Sequence, residues 1–212
     1  MTTANAPATS GMTYQPFHRH LADGLAPQQR MYAELSGHAA VVQSLSPWEI
    51  PGQLQTEDWQ RRVFAYNPGF ADDEQRTDID AAVAARTIRA AQLTAGTHEF
   101  HLLTTAFPMR FRRTWPELPA QFDRLVQSAR DERFRFGLIP DGASSRQPPY
   151  TSVCIYDGTL AEVETYSGML YVADALDVAA NARAFAEFAG LALYGEDAAA
   201  ELLRLRAELI GH

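Results

Sequence analysis

The chain has 212 residues, and all 18 of its basic side chains are arginine, because it contains no lysine. That absence excludes a Walker A loop, a protein kinase, and Schiff-base or pyridoxal-phosphate chemistry, each of which needs a lysine amine. The formal net charge of −8 excludes a stand-alone nucleic-acid binder without a hidden basic face, and the single cysteine, Cys154, excludes a disulfide framework or a cysteine zinc site.

Residues 1–26 are rich in Ala, Thr, Pro and Gly without apolar periodicity. They read as a flexible N-terminal tail that drapes over the body through Tyr14, Phe17 and Leu21. No signal pattern occurs there, and no apolar run of membrane-spanning length occurs anywhere, so the expectation is a cytoplasmic protein with no membrane association. Residues 27–212 read as a single domain.

Pro27 suits the first turn of a helix, and Met31, Leu35, Ala39 and Val42 recur at helical spacing, which predicts a helix over 28–45 stopped by Pro47. Pro51-Gly52 is a turn. Thr56 is an N-cap for a short helix from Glu57 to Tyr66, closed by Asn67-Pro68-Gly69. Residues 71–95 give the strongest helical signal, with acids at the start, Arg86 and Arg89 toward the end, and Gly96 as the stop. The acids at its start serve the helix dipole rather than a metal.

After Gly96 the period changes to two. Strands are predicted over 98–105, 133–136, 151–156, 161–166 and 169–173, with a helix over 119–129 and an Asp157-Gly158 hairpin turn. Asp174 or Asp177 caps a long alanine-rich helix with Leu176, Ala180, Ala184, Phe188 and Leu191 as its buried stripe. A last helix follows Tyr194-Gly195. The fold class is therefore α+β: a helical N-terminal part, a mixed or antiparallel sheet of about five strands, and two C-terminal helices.

Several residue groups carry potential chemistry. His98 and His101 are three apart on a strand and so face opposite sides, which is wrong for a metal, and no metal or cofactor is expected. Cys154 reads as a small buried residue without activation. Glu162 and Glu164 share a strand face with Tyr166, either as an acid–base pair or, the preferred reading, as a surface ladder paired with Arg133 and Arg135. Arg110-Phe111-Arg112-Arg113 and Trp115 form the most concentrated positive spot, suited to an anionic ligand or an acidic partner.

The segment Ile50-Pro51-Gly52-Gln53-Leu54-Gln55-Thr56-Glu57-Asp58-Trp59 carries a resemblance, continued by Arg86, Arg89 and Leu93, Ala106 to Arg110, Gln121 with Leu125, Gly137-Leu138-Ile139-Pro140, Tyr156-Asp157, Val163-Glu164 and Tyr194-Gly195-Glu196-Asp197-Ala198. With these, residues 30–210 resemble the domain of unknown function that follows the helix-turn-helix in actinobacterial Xre-type, Scr-type antitoxin-like transcriptional regulators. The chain departs from that pattern at Thr104, Thr105 and Ala90. It also leaves no room before Gln28 for a helix-turn-helix, so direct nucleic-acid binding is not expected.

The resemblance implies a stand-alone regulatory domain, not itself an enzyme, that binds a small companion protein or a small-molecule ligand; a homodimer is compatible with it. The binding residues expected are Arg110, Arg112, Arg113, Trp115 and Glu164. The alternative is a cofactor-independent lyase, isomerase or cyclase of specialised metabolism. In that case Glu164, Tyr156 and Arg110 would be the catalytic groups, because lysine and a nucleophilic triad are absent.

Overall fold

In the computed structural model, residues 11–65 and 78–211 are described. The chain runs β1 (Met12–Pro16), α1 (Phe17–His20), α2 (Leu25–His38), β2 (Val41–Ser46), α3 (Glu57–Ala65), α4 (Ile79–Ala91), β3 (Glu99–Thr105), α5 (Phe107–Phe111), α6 (Leu118–Arg130), β4 (Arg135–Ile139), β5 (Val153–Tyr156), β6 (Leu160–Glu164), β7 (Gly168–Val172), α7 (Ala175–Leu191), β8 (Leu193–Tyr194) and α8 (Gly195–Ile210). The α+β class holds. The sheet has eight strands, in the order β1-β7-β6-β5-β2-β3-β4-β8, rather than about five. The pairs β2–β3 and β3–β4 are parallel. The other neighbours are antiparallel.

The three extra strands are β1, β2 and β8, and each corrects a local reading. The helical spacing of Ala39 and Val42 continues past the real end of α2 at His38. The β-branched Val41-Val42 pair instead starts β2, a central strand with Val42, Ser44 and Leu45 all buried. The expected tail carries β1 along the sheet edge against β7, and α1 with Phe17 and Leu21 buried. The first ten residues, and the expected helix end at Tyr66 with the acids of 71–77, lie outside the described residues.

Alternation along the strands splits the core into two faces. One face presents Leu45, Leu103, Ile139, Val153, Ile155 and Ala161 to α7, which answers with Val178, Phe185 and Phe188. The buried stripe of α7 is thus displaced from the expected one: Leu176 is 81% exposed and Ala180 is exposed as well. The opposite face is covered at the β3–β4 end by α6 and α8, around the fully buried Trp59, Phe122 and Leu202. At the β6–β7 end it is covered by α1, α2 and α4, whose Phe17, Leu25, Ala82 and Val83 cluster with Leu21, just past α1, and with Met169 of β7.

Helix α2 begins by borrowing a cap from the start of α4. The Asp78 carboxylate accepts from Leu25 N at 3.2 Å and Ala26 N at 2.7 Å. This satisfies two of the amides that a helix start leaves open. Gly24 makes the approach possible: it has φ +97°, and a Cβ there would sit 2.6 Å from Asp78 Oδ2. The expected Thr56 cap is present, its hydroxyl accepting from Trp59 N at 3.3 Å.

Candidate functional site

Beneath α2 and α4 this face leaves a cavity of about 200 Å³, over β2, β5 and β6. Its floor comes from alternate residues of neighbouring strands. Ser44 is paired with Cys154, and Cys154 with Glu162, so these three side chains form one row on one face, with Glu164 two residues further along β6. Its ceiling is α4, which carries Arg86 and Arg89, and α2, which carries Gln28, Gln29 and Tyr32. The Glu49–Gln55 segment closes one side.

Arg86 and Arg89 face inward because Ala82, Arg86, Arg89 and Leu93 fall on one helical stripe, and Ala82 and Leu93 at its ends are fully buried. Arg86 donates from Nε to Gln29 Oε1 at 3.0 Å and from Nη1 to Gln55 Oε1 at 2.6 Å. Its guanidinium lies 4.2 Å from the centre of the Phe64 ring. Gly52 makes room for it, since a Cβ there would come within 3.1 Å of Arg86 Nε. Arg89 donates from Nε to Ser36 Oγ at 3.1 Å, and the Gln53 amide, turned oxygen-first, accepts from its Nη2 at 3.2 Å.

Neutral acceptors therefore orient both guanidinium groups. Among the described residues, no carboxylate lies within 4.0 Å of either one. Burial, with Arg89 as the next contributor, pulls Arg86 down to about 10, so it stays charged at neutral pH.

The acidic wall is equally unpaired. Glu162 is 8% exposed and accepts one hydrogen bond, from the Tyr156 hydroxyl at 3.3 Å. Burial pushes its carboxyl up to about 7, and Glu164 adds to the rise while Arg89 opposes it. Glu164 is surrounded by protein yet water-accessible, because its side chain faces the open volume of the cavity. Its carboxylate accepts no hydrogen bond among the described residues, and burial and then Glu49 raise it above the usual carboxylate range.

The expected ladder between this pair and Arg133 and Arg135 does not form. Strands β5, β2 and β3 lie between β6 and β4. Arg133 pairs instead with Asp131 at 2.6 Å, and Arg135 lies over the Tyr194 ring. Tyr166, expected on the same face, is 96% exposed beyond the end of β6.

The other residues expected to bind or react are dispersed. Arg110 is on the outer surface, tied to Asp141 at 2.6 Å and to Glu208 at 3.0 Å, so it does not meet Glu164 and Tyr156. Arg112 forms an ion pair with Glu49 and lies 4.6 Å from the centre of the Trp115 ring, which in turn packs against Trp59 at 4.8 Å. Glu49 also accepts from Trp59 Nε1 at 3.2 Å. Arg112 and Trp115 thus brace the cavity wall from behind instead of offering an open anion site. Arg113 is exposed. Tyr156 is buried and does not line the cavity itself, meeting its lining at Glu162 and Cys154.

His98 Nδ1 lies 2.7 Å from Ala39 O, and His101 Nε2 lies 3.0 Å from the Tyr194 hydroxyl. Among the described residues, no group of three His, Cys, Asp or Glu side chains is placed to hold a metal.

Sequence reasoning did not assign Arg86, Arg89, Gln53, Gln55 and Glu162 to one site. The available signal was the helical stripe, which places two arginines in line with buried Ala82 and Leu93. The Pro-Gly-Gln-Leu-Gln segment, which carried the resemblance, supplies the acceptors that aim those arginines. Its Gln55 is itself fixed by donating to Ile50 O at 2.7 Å.

Residues 29–204 match the family described as Domain of unknown function (DUF5753). No curated protein matches the chain. Among solved structures, that of TrmBL2, described as an archaeal chromatin protein that shows a novel mode of DNA binding, is similar over 90% of this chain, at 12% identity and a TM-score of 0.43. The chain spans 56% of the length of that structure. Among the described residues, no helix is long and apolar enough to cross a membrane.

Proposed function

This chain belongs to the DUF5753 family, a domain of unknown function, and from that premise we propose that it is a regulatory domain that binds a small molecule in the cavity between α4 and β6. The context is that of the antitoxin-like, Xre-type and Scr-type actinobacterial regulators which its sequence resembles. The observation that carries the reading is the separation of charge: two guanidinium groups held by neutral acceptors face two carboxylates with no cationic partner across an open volume.

Charges kept out of bulk water without an ionic partner are costly to a fold, most of all for the buried Glu162. Direct pairing of Arg86 or Arg89 with Glu162 or Glu164 would relieve that cost, and the side chains are instead aimed so that an intervening molecule can take both. A volume of about 200 Å³ is below the ~300–1,000 Å³ of drug-sized sites, so the ligand is a small metabolite. A bound molecule links α4 of the helical layer to β6 of the sheet, and this is how occupancy acts on the rest of the domain.

The test is thermal unfolding in the presence of a small-molecule extract of the source cells. Wild type is compared with Ser152→Phe, which places a ring in the cavity. A ligand at a hundred times its Kd stabilises by about 2.7 kcal/mol, or roughly 5–10 °C for a domain of this size. That rise is expected in wild type and not in the variant. Equal shifts in both, or none in either, overturn the reading.

A second reading, a companion protein, is favoured by a separate surface. Trp48 meets Phe107 edge-on at 5.2 Å, and Phe107 stacks on Phe111 at 5.3 Å. Trp48 is 47% exposed and Phe111 is 70% exposed, an unusual concentration of aromatic surface. If this ridge binds a partner, Phe111→Ala abolishes co-purification from the native host without lowering stability, whereas unchanged co-purification removes the ridge from consideration.

A further inference from the structure

The cavity has a second chemical gradient besides its charge. Beside the polar row of Ser44, Cys154 and Glu162 it is lined by Phe17, Leu21, Leu25, Phe64 and Met169, all buried, with Met169 paired to Glu164 across β6 and β7 and Phe64 under the Arg86 guanidinium. These residues come from α1, α2, α3 and β7 and form one apolar core cluster that stops at the cavity. The site therefore offers three recognition elements within a small volume: two guanidinium groups on α4, two carboxylates on β6, and an apolar corner.

The guanidinium donors are only partly used. Arg86 spends Nε and Nη1 on Gln29 and Gln55, and its Nη2 donates to no acceptor among the described residues. Arg89 spends Nε on Ser36 and turns Nη2 toward Gln53, which leaves Nη1. Across the cavity, Glu162 Oε1 and both carboxylate oxygens of Glu164 accept nothing among the described residues. Donors of fixed positive charge on one wall and acceptors on the other demand a ligand whose own anion and cation are separated in the same direction.

We propose, building on the small-molecule reading above, that the ligand is a zwitterion of amino-acid size with an apolar side chain. Its carboxylate is bound by Arg86 and Arg89, its ammonium by Glu162 and Glu164, and its side chain lies against Phe64 and Met169. Planar guanidinium forks suit a carboxylate, and an ammonium donates up to three hydrogen bonds, which matches the open oxygens of Glu162 and Glu164. A simple dicarboxylate would leave the acidic wall unpaired and repelled, and a diamine would do the same to the arginines. The apolar corner ranks leucine, methionine and phenylalanine above aspartate and lysine, whose side chains would bury a charge there.

The experiment is isothermal titration calorimetry of the full chain with the twenty common free amino acids, succinate and putrescine, followed by N-acetyl and carboxamide derivatives of the best binder. One or several apolar amino acids are expected to bind saturably. Blocking either the amine or the carboxylate should weaken binding roughly ten- to a hundredfold, the loss typical of a buried charged hydrogen bond. Glu164→Gln should cause a similar loss, and this variant is chosen because the side chain holds nothing in the fold. The derivatives test the same point with no mutation at all. Binding of succinate or putrescine as tight as that of any amino acid, or indifference to both blocking groups, overturns the zwitterion. If no amino acid binds while the extract still stabilises wild type but not Ser152→Phe, the zwitterion falls and the sensing reading stands. If the extract also fails, both fall.

Discussion

Glu162 places a measurable pH dependence in the fold. Its carboxyl titrates near 7 instead of 4.5, chiefly because it is buried. The groups facing it are Arg89 from α4, Glu164 from β6 itself, Cys154 and Tyr156 from β5, Tyr171 from β7 and Tyr32 from α2. Of these only Arg89 carries a positive charge. Because folding raises the pKa, the folded state holds a proton that the unfolded chain has released. The stability linked to this group is fully present below pH 4.5 and is lost as pH rises through about 7. At ~1.36 kcal/mol per pH unit, the gap is worth about 3 kcal/mol.

Glu162→Gln removes the titration and keeps an oxygen for the Tyr156 hydroxyl. Urea unfolding of both proteins should show similar stability at pH 5 and a variant more stable by most of that ~3 kcal/mol at pH 8. A difference that stays flat across this range, or a wild type that gains on the variant with rising pH, refutes the placement of Glu162 as a buried carboxyl without a cationic partner.

Other consequences are independent of this group. Asp78→Ala removes the cap of α2 and should cost about 1–2 kcal/mol in denaturant unfolding. Burial, with the negative Glu162 next to it, pushes the Cys154 thiol up to about 12. Native protein should therefore resist iodoacetamide at pH 8 and react once denatured, as read by intact mass. With a net charge of −8, this chain should give no shift of duplex DNA at physiological salt, and a tight, salt-sensitive shift would contradict that expectation.

Much of the β-rich half was legible in the sequence because its signals are local. The period-two runs, the Asp157-Gly158 turn and the Asp174 cap specify β3, the β5–β6 hairpin and the start of α7 through side-chain alternation and backbone preference alone. What failed was information held by other parts of the chain. Val42 continues the helical spacing of α2, and only its place between β3 and β5 makes it strand. Leu193 and Tyr194 look like a break between helices until β4 pairs with them.

The candidate site was half legible for the same reason. The shared face of Glu162 and Glu164 follows from alternation, but their partners do not. Strand order carries Arg133 and Arg135 away from them, and helix packing brings Arg86 and Arg89 over them. The missing lysines pointed to guanidinium groups, but at Arg110, Arg112 and Arg113, whereas the arginines in the cavity are Arg86 and Arg89. With all basic side chains arginine, a buried cation had to be a guanidinium, a fork able to be aimed by glutamines without being neutralised by a carboxylate.

The most direct test of that arrangement is a crystal structure of the protein with the tightest-binding free amino acid from the calorimetric panel. The expected result is the carboxylate within about 3 Å of the Arg86 and Arg89 guanidinium nitrogens, and the ammonium at a similar distance from Glu162 and Glu164. A ligand bound outside the cavity, or seated inside it while touching neither arginine, would contradict the claim that these charges are held apart for a ligand.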